Sequence, residues 1–347
     1  MVKKATIYDV AKVCGVSGAT VSRVLSNSSY PVSQSTRGKI LKAAKALNYT
    51  PNAYGRALKT QQVRDIGIIV PNISNSYYAM LLQGVYDHVI KKGYTPILLN
   101  SYSDPEIEKK NIALLMQKQV GGIIIASIGV NANAVQRAVD LGYQVVAVEQ
   151  DSSVDCLKVG FNFHRGAEMA VAHLVENGHR AIGFIGAPLD RPSRVQMLEG
   201  YRQALSDAGL PVREDYIHLS GQELGAGAVI YEFENGMAVA GKFCEMEDRP
   251  TGYVCINDMT ALGAMKAFSN HGLRVPQDVS IIGFDNIPYA KIAVPELTSI
   301  DQSAYEMGAI SSDMLIEHIK DPDKAVSPTI LEPKLIVRQS VARAPGS

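Results

Sequence analysis

The pattern of apolar and polar positions changes after about sixty residues and divides the chain into two parts. In residues 1–50, apolar residues recur at helical spacing in three short stretches. Each stretch follows a residue whose side-chain oxygen can cap a helix, namely Thr6, Ser17 and Ser33. Gly15 separates the first two stretches, and glycine tolerates the left-handed conformation that ends a helix. The pattern predicts three helices, of which the first two form a helix-turn-helix.

The longer part of the chain alternates short apolar runs with stretches of helical period. The apolar runs are DIGIIVP, YTPILLNS, GGIIIAS, QVVAVEQ, AIGFIGAP, GYVCIND and SIIGFD. Continuous apolar runs between helices are typical of parallel strands that are covered on both faces. The number of runs exceeds what one sheet of ordinary size holds, so we expect an α/β body of two Rossmann-like halves. Ligands of such folds bind beyond the carboxyl ends of the strands, which predicts a cleft between the halves.

Charge is distributed unevenly between the two parts. Residues 1–60 carry ten Lys or Arg and a single acid, Asp9, which gives a net charge of +9. The other 287 residues carry 24 basic and 33 acidic residues, which gives −9. A small basic unit on an acidic body indicates a polyanionic partner, and beside a helix-turn-helix that partner is double-stranded DNA. On charge alone, a solvated basic helix face is the alternative.

The second predicted helix is the one that a helix-turn-helix places in the major groove. Its outward residues are Gly18, Ala19, Thr20, Ser22, Arg23 and Asn27. The Arg23 guanidinium can pair with guanine O6 and N7, and Thr20 can contact a base or a thymine methyl. Gly18 and Ala19 offer almost no side chain, so we expect few direct base contacts and more reliance on DNA shape and phosphates.

Other functional classes receive less support. The sequence has no P-loop, GxSxG or HExxH motif, and GFIGAP lacks the full dinucleotide fingerprint. Its seven histidines and four cysteines show no metal-ligand spacing, and no apolar run approaches 18 residues. No apolar segment follows the N-terminal lysines. We expect a cytoplasmic protein without catalytic residues, metal or cofactor. An enzyme or a secreted solute-binding protein of the same fold is the alternative, but either leaves the basic unit unexplained.

Several long motifs run through both parts in order. The basic unit contains TIYDVAKVCGVSGATVSRVLSN and VSQSTRGKILKAAKALNYTPNA, and the body contains IGIIVPNISNSYYAMLLQGV, VGGIIIAS, NDMTALGAMKAFSNHGLRVPQDVSIIGFDNIPYAKIAVPELTSIDQ and LIVRQS. Together they resemble the lactose-repressor (LacI/GalR) family of bacterial transcription regulators, over essentially the whole chain, and most of all its catabolite-control branch. The resemblance implies a repressor that binds a pseudo-palindromic operator as a homodimer. It also implies control by a sugar-like effector or by a protein corepressor, phosphorylated HPr.

The resemblance further implies a body of the periplasmic-binding-protein type, whose chain crosses between two lobes three times. We expect the crossings near 161–163, 289–291 and 322–324. The expected units are a DNA-binding unit 1–50, a hinge helix 51–61 and an effector-binding, dimerising body 62–341. Within the body, the expected first lobe is 62–161 with 291–322, and the expected second lobe is 162–290 with 323–341.

Residues 51–60, PNAYGRALKT, match the family's hinge helix, which enters the minor groove at the operator centre. Leu58 occupies the position of a leucine that wedges between base pairs, and Tyr54 lies one turn earlier. Gly55 stands where relatives commonly have alanine, and it weakens a helix that is already too short to be stable in water. We therefore expect this helix to form only on DNA. The expected DNA-binding set thus adds Thr6, Ser17, Tyr54, Gly55 and Leu58 to the outward residues of the second helix.

The resemblance also implies which residues line the effector cleft. They are Pro71, Asn72, Glu149, Phe161, Asn257 and Asp285. Carboxylates and amides at strand ends suit paired hydrogen bonds to sugar hydroxyls. Many relatives have an arginine three residues before the glycine of RVQMLEGY, where this chain has Met197, and the nearest arginine is Arg194. Because of this departure, the identity of the regulatory ligand stays open among a sugar effector, a different ligand and a partner protein.

Overall fold

The computed structural model describes residues 5–26, 30–49, 63–126, 132–149, 154–221, 231–324 and 326–345. Its contacts divide the chain into two compact units, Met1–Val63 and Arg64–Ser347. We call them the head and the body and describe each by itself. Among the described helices, none combines the length and the apolar character needed to cross a bilayer.

The described part of the head contains three helices: α1 Ile7–Cys14, α2 Gly18–Leu25 and α3 Gln34–Ala46. α1 begins with a capping box, in which the Thr6 side chain accepts from the Asp9 backbone N–H and the Asp9 carboxylate accepts from the Thr6 backbone N–H at 2.7 Å. The helix ends at Gly15, whose φ of 63° lies in the left-handed region. The local sequence thus sets both ends of the first helix of the helix-turn-helix.

The core of the head draws on all three helices. Its buried residues are Val10, Ala11, Val21, Val24, Ile40, Ala43 and Ala44. Two other apolar residues of these helices lie outside the core, since Val13 of α1 is 65% exposed and Leu41 of α3 is 50% exposed. Each short helix packs along one narrow stripe, which in α3 runs through Ile40, Ala43 and Ala44 and leaves Leu41 in solvent.

Two six-stranded sheets form the framework of the body. The strands of the first sheet are β1 Asp65–Val70, β2 Thr95–Asn100, β3 Gly122–Ala126, β4 Gln144–Val148, β5 Leu157–Phe161 and β11 Thr329–Leu331. Their order is β11-β5-β4-β3-β1-β2, and every pair is parallel. Within β3, Ile124 belongs to one apolar cluster while Ile123 and Ile125 belong to another. Helices therefore cover both faces of the sheet, as the continuous apolar runs predict.

The second sheet has the same layout with one antiparallel edge strand. Its strands are β6 Ile182–Gly186, β7 Ile217–Leu219, β8 Gly252–Cys255, β9 Ser280–Asp285, β10 Thr298–Asp301 and β12 Lys334–Ile336. Their order is β12-β10-β9-β8-β6-β7, and only the β10–β12 pair is antiparallel. The two sheets define two lobes of the body, the first lobe and the second lobe.

Nine helices of the described body lie beside these sheets. Those of the first lobe are α4 Ser76–Lys91, α5 Pro105–Gln117, α6 Ala132–Asp140 and α12 Ala304–Lys320. Those of the second lobe are α7 Phe163–Glu176, α8 Pro192–Asp207, α9 Tyr231–Cys244, α10 Asp258–Asn270 and the short α11 Pro288–Ile292. A 3₁₀ turn, Glu214–Tyr216, precedes β7. Alternation of strands and helices in both lobes gives the doubly wound architecture expected from the sequence.

Glycines let α4 and α12 pack at backbone contact. A Cβ added to Gly84 of α4 would lie 2.0 Å from the Tyr305 carbonyl oxygen, and one added to Gly308 of α12 would lie 2.1 Å from the Leu81 carbonyl oxygen. No side chain fits in either space. The two helices therefore form one closely packed layer on the first sheet.

The chain crosses between the lobes three times, after β5, after β10 and after β11. The two later crossings lie nearer the C-terminus than the sequence predicted, so the assignment of 291–322 to the first lobe and of 323–341 to the second is wrong in part. β10 pairs with β9 of the second lobe, and β11 pairs with β5 of the first. Apolar patterning misses β11 because it has three residues. It misses β10 because the buried Thr298 and Ser299 have polar side chains, whose hydroxyls are hydrogen-bonded to the Arg338 backbone N–H and to the Asp258 carboxylate.

Candidate functional site

α2 presents polar residues outward because its apolar side is fixed in the core of the head. Val21 is fully buried and Val24 is 3% exposed. Ser17 caps the helix, since its hydroxyl accepts from the Thr20 backbone N–H at 3.1 Å and lies 2.9 Å from the Thr20 hydroxyl. Outside the core lie Ser17, Gly18, Ala19, Thr20, Ser22 and Arg23. The structure thus leaves these predicted DNA-facing residues available for contact.

Two exposed tyrosines that the sequence analysis missed flank these residues. The Arg23 guanidinium lies 4.0 Å from the centroid of the Tyr30 ring, a cation–π contact, and Tyr30 is 52% exposed. Tyr8 is 76% exposed, and its ring comes within 3.6 Å of where a Cβ on Gly18 would lie. The sequence could have indicated a role for Tyr8, because it is a large aromatic residue on the polar side of an amphipathic helix.

Of the other predicted DNA-binding residues, the structure describes only Thr6. Thr6 lies at the start of α1, where its hydroxyl and backbone N–H both bond to Asp9. Asn27, Tyr54, Gly55 and Leu58, and the predicted hinge as a whole, lie outside the described residues.

The body has a cleft to which both lobes contribute. A cavity of about 100 Å³, which we call the inner cavity, is lined by Glu149 of the first lobe and by Arg194, Met197, Asn257 and Asp285 of the second. Glu149 follows β4, Asp285 ends β9 and Asn257 caps α10, so the carboxyl ends of strands bring these groups together. The Asn257 side-chain oxygen accepts from the Thr260 backbone N–H at 2.8 Å.

A larger space of about 970 Å³, the outer groove, shares lining residues with the inner cavity. Pro71 and Asn72, two predicted effector residues, line this groove rather than the inner cavity. Phe161, which the sequence analysis placed in the effector cleft, lines neither space. Its side chain is 6% exposed and packs edge-on against Phe163 with ring centroids 5.0 Å apart, and Phe163 lines the inner cavity in its place.

Hydrogen bonds link the lobes across the cleft. The Asn75 amide, just before α4, donates to both carboxylate oxygens of Glu232 on α9, at 2.9 and 3.0 Å. The carbonyl oxygen of the same side chain caps α4 by accepting from the Tyr77 backbone N–H at 2.8 Å. Arg191 of the second lobe donates to the Ser103 hydroxyl of the first at 3.3 Å. The sequence analysis missed these residues because no local pattern says which groups meet across two lobes.

Burial governs the ionisation of Glu149. It raises the pKa of this carboxyl from 4.5 to about 7, although a hydrogen bond from the Tyr77 hydroxyl and the positive charge of Arg191 act in the opposite direction. The inner cavity therefore holds a carboxyl group whose charge changes near neutral pH.

Asp285 lies among other acids. Burial raises its pKa well above the ordinary value, and the negative charges of Asp258, Glu232 and Glu149 raise it further. The amide of Gln302 donates to one Asp285 oxygen at 2.6 Å and acts in the opposite direction. Gln302 lies directly after β10, so the same short strand that apolar patterning missed also delivers an unpredicted cleft residue.

A buried network holds the loop that carries Asp285. Asp285 and Asn286 adopt positive φ angles of 105° and 56°, which non-glycine residues rarely do. Asp258 accepts from the Ser299 hydroxyl at 2.6 Å and from the Ile287 backbone N–H at 2.8 Å. Arg338 donates to the Asn286 side-chain oxygen at 2.5 Å. These bonds offset the backbone strain and fix the Asp285 carboxyl toward the cavity.

Met197 brings an apolar side chain to the inner cavity, where it is 2% exposed. Arg194, one turn earlier, donates from one guanidinium nitrogen to the Pro188 carbonyl oxygen at 3.0 Å and to the Asp190 carboxylate at 2.8 Å. The Asp190 side chain is exposed, so this ion pair lies at the protein surface. Among the described residues, no group of three His, Cys, Asp or Glu side chains is placed to hold a metal ion.

Comparison with known proteins finds a matching family for the head and another for much of the body. Residues 6–52 match the family described as "Bacterial regulatory proteins, lacI family", and residues 171–341 match "Periplasmic binding protein-like domain". The HTH-type transcriptional repressor PurR of Mannheimia succiniciproducens is 32% identical over 341 residues, which cover 98% of this chain and 99% of that protein. The chain belongs to the LacI family of bacterial regulatory proteins. It is a DNA-binding transcriptional repressor and not an enzyme.

Solved structures of LacI-family members share the fold over most or nearly all of this chain. The lac repressor dimer bound to operator and the anti-inducer ONPF has a TM-score of 0.86 at 26% identity and covers 98% of this chain and all of that chain. A LacI-family regulator from Enterococcus faecium with bound ribose has a TM-score of 0.72 at 27% identity and covers 81% of this chain and all of that chain. The predicted fold, a helix-turn-helix unit followed by a body of the periplasmic-binding-protein type, is confirmed.

Proposed function

We propose that this LacI-family repressor binds a pseudo-palindromic operator as a homodimer in the cytoplasm and is controlled by a small molecule in the cleft of the body. The observation that carries the proposal is the pairing of a basic helix-turn-helix head with a body whose cleft gathers buried polar groups from two lobes. A ligand between lobes changes the population of closed and open forms if it binds one form more tightly. Such coupling gives the cleft a means of altering operator affinity.

For the head, we propose that Arg23 reads a base while Ser17, Thr20, Ser22 and Tyr30 fix α2 against the DNA. The Arg23 side chain lies at the edge of the polar face of α2 and already stacks on Tyr30. Gly18 and Ala19 present little more than backbone, which suits close approach to the groove. The hinge residues Tyr54, Gly55 and Leu58 and the predicted contacts of Thr6 and Asn27 remain proposals from the family resemblance.

For the dimer, one exposed apolar segment of the second lobe supports the proposal. Tyr289, Ile292 and Val294 are 49%, 71% and 95% exposed on and just after α11. Exposed apolar residues that cluster in one segment are typical of protein interfaces. The lac repressor, which this chain resembles in fold, is a dimer on its operator. A two-fold protein matches a two-fold operator.

For the effector, we propose a polyol ligand held by Glu149, Asn257 and Asp285. One LacI-family relative holds ribose. Carboxylates and amides at strand ends make paired hydrogen bonds to hydroxyl groups. Phosphorylated HPr as a corepressor, and the catabolite-control placement that suggested it, stay predictions; adding that protein to the operator assay below tests them.

The proposal is tested by selecting an operator from a randomised duplex library with the full-length protein. We expect the selected site to have approximate two-fold symmetry. Fluorescence anisotropy should then show affinity that falls by about a thousandfold between 50 and 200 mM salt, because several phosphate contacts release counterions. Selection of no sequence, or affinity that is insensitive to salt, would contradict the proposal.

A further inference from the structure

We propose that Asn75 and Glu232 close the entrance through which a ligand passes from the outer groove to the inner cavity. The entrance opens when their hydrogen bonds break and the two lobes separate at this point. This inference rests on the proposed function, because it assigns the route that the proposed effector takes. Its test uses neither DNA nor an effector, so the inference and the proposed function can fail independently.

The entrance is the place where the two spaces of the cleft meet. Five residues line both the outer groove and the inner cavity, namely Asn75, Tyr78, Arg191, Tyr231 and Glu232. The first two belong to the first lobe and the other three to the second lobe. A molecule that moves from the groove to the cavity passes between these side chains, so the distance between the lobes sets the width of the passage.

Solvent reaches the outer groove more easily than it reaches the inner cavity. Ser74 and Gln277 line the groove and are exposed. Met197 and Gln302 line the cavity and are 2% and 4% exposed. A ligand that contacts such buried side chains enters only when part of the cavity wall moves.

Hydrogen bonds between the lobes hold the entrance closed. The Asn75 amide nitrogen lies 2.9 and 3.0 Å from the two carboxylate oxygens of Glu232, at a partly buried site. A hydrogen bond to an ionised carboxylate is stronger than one between neutral groups. The bond from Arg191 to the Ser103 hydroxyl, also between the lobes, is longer at 3.3 Å and has a neutral acceptor. The Asn75–Glu232 pair is therefore the stronger of these two connections.

Asn75 also fixes one wall of the entrance. Its side-chain oxygen accepts from the Tyr77 backbone N–H at 2.8 Å and so caps α4. The Tyr77 and Tyr78 rings in the first turn of α4 pack edge-on, with centroids 5.2 Å apart. One amide group thus caps α4 with its oxygen and bonds Glu232 on α9 with its nitrogen. An aspartate in the same place could do only the first of these, since a carboxylate has acceptors but no donor.

The test measures how fast a small reagent enters the inner cavity of the full-length protein. Met197→Cys places a thiol at a position that is 2% exposed. Iodoacetamide, which is small and neutral, labels this thiol when the cavity opens, and peptide mass spectrometry at pH 8 follows the rate. Native Cys255 is fully buried in another apolar cluster of the second lobe, so its labelling reports unfolding of that lobe. The proposed dimer segment also lines the outer groove, which is why the full-length protein is used.

Asn75→Asp, added to Met197→Cys, breaks the bonds across the entrance and keeps the cap of α4. It sets a second carboxylate against Glu232. We expect the thiol at position 197 to be labelled about tenfold faster or more, because hydrogen bonds to a charged group are lost. Labelling of Cys255 should not change. The added negative charge disfavours the reactive thiolate, so charge alone would slow the labelling.

Asn75→Asp combined with Glu232→Gln, again with Met197→Cys, is the matched control. It exchanges the two partners, since the new amide at position 232 can donate to the new carboxylate at position 75. The net charge of the pair stays the same. We expect the thiol at position 197 to be labelled within about twofold of the rate for Met197→Cys alone, as a double-mutant cycle predicts for groups in direct contact.

Three results would overturn the inference. Unchanged labelling at position 197 in Asn75→Asp would mean that molecules reach the inner cavity by another route. An equal rise in labelling at Cys255 would mean that the Asn75–Glu232 bonds stabilise the fold of the second lobe rather than close an entrance. Fast labelling in the combined variant would mean that pairing at these two positions does not close it. An absence of salt-sensitive operator binding would defeat the proposed function and leave the entrance standing.

Discussion

Arg23 and Tyr30 form a cation–π contact beside the proposed DNA-binding surface of the head. The guanidinium lies 4.0 Å from the ring centroid, and a cation–π contact at an exposed site contributes about 0.5–1 kcal/mol. Tyr30→Ala should therefore weaken binding to the selected operator by about two- to fivefold, whereas Tyr30→Phe, which keeps the ring, should bind almost normally. Fluorescence anisotropy on the selected operator measures both. An equal loss in the two variants would assign the effect to the hydroxyl rather than to the ring.

Glu149 makes stability depend on pH in a defined direction. Its pKa is about 7 in the folded protein against an ordinary 4.5, so the unfolded carboxyl ionises first as pH rises. The protein loses stability from this group between about pH 4.5 and 7, and the loss is complete above that range. Glu149→Gln cannot ionise, so its melting temperature should rise relative to wild type between pH 5 and pH 8.

Thermal unfolding of wild type and Glu149→Gln at both pH values checks this expectation. Glu306→Gln, at an exposed position of α12, is the matched control and should show no such change. A constant difference between Glu149→Gln and wild type at the two pH values would contradict the raised pKa of the buried carboxyl.

The sequence predicts some residues of the cleft and misses others. Asn257 and Asp285 follow or end apolar runs, so their place at the carboxyl ends of strands was available from the pattern. Gln302 follows a strand with polar buried residues, and Asn75 and Glu232 meet only because two lobes approach each other. Such contacts depend on tertiary geometry that no local spacing encodes.

Helix packing in the first lobe depends on contact between glycine and backbone. Gly84→Ala would place a methyl group 2.0 Å from the Tyr305 carbonyl oxygen, so α4 and α12 must separate. Overpacking of this kind costs about 1–3 kcal/mol. Gly241→Ala on α9 meets nothing within 4 Å and should stabilise the protein by up to about 1 kcal/mol through helix propensity.

Urea unfolding of the two glycine variants measures these opposite effects. We expect a lower midpoint for Gly84→Ala and an unchanged or higher midpoint for Gly241→Ala. Stabilisation of the protein by Gly84→Ala would mean that the two helices are not in backbone contact.

At the level of strands and helices, the sequence predicts a strand correctly where a continuous apolar run lies between two stretches of helical period. β1, β2, β3, β4, β6, β8 and β9 coincide with apolar runs. The apolar runs do not include β5, β7, β10, β11 and β12, and β10 and β11 precede the two crossings between lobes that the sequence misplaced. Short strands whose buried residues are Thr and Ser carry no apolar signal, although the hydrogen bonds of Thr298 and Ser299 make them part of the core.

Oligomeric state is the property of the whole molecule that one surface change can test. Val294 is 95% exposed, so Val294→Glu leaves the fold intact while it puts a charge into the proposed interface. We expect a shift from dimer to monomer in analytical ultracentrifugation, because burying an unpaired charge is costly. Leu141→Glu, at an exposed apolar position after α6, is the matched control and should remain dimeric. A dimeric Val294→Glu would exclude this segment from the interface.

The proposed function requires the cleft of the body to alter DNA binding. The Asn75–Glu232 hydrogen bonds join the two lobes, and a ligand that held the lobes in one arrangement would act on the spacing of the two heads in the proposed dimer. The sequence predicted this arrangement because alternating parallel strands and helices admit few architectures.

The most direct test compares the affinity of the full-length protein for the selected operator with its affinity for the same duplex after one half-site is scrambled. Fluorescence anisotropy at fixed salt measures both. If two heads bind together, loss of one half-site should weaken binding by about a hundredfold or more. Equal affinity for the whole site and the half-site would contradict a dimeric repressor that reads a two-fold operator.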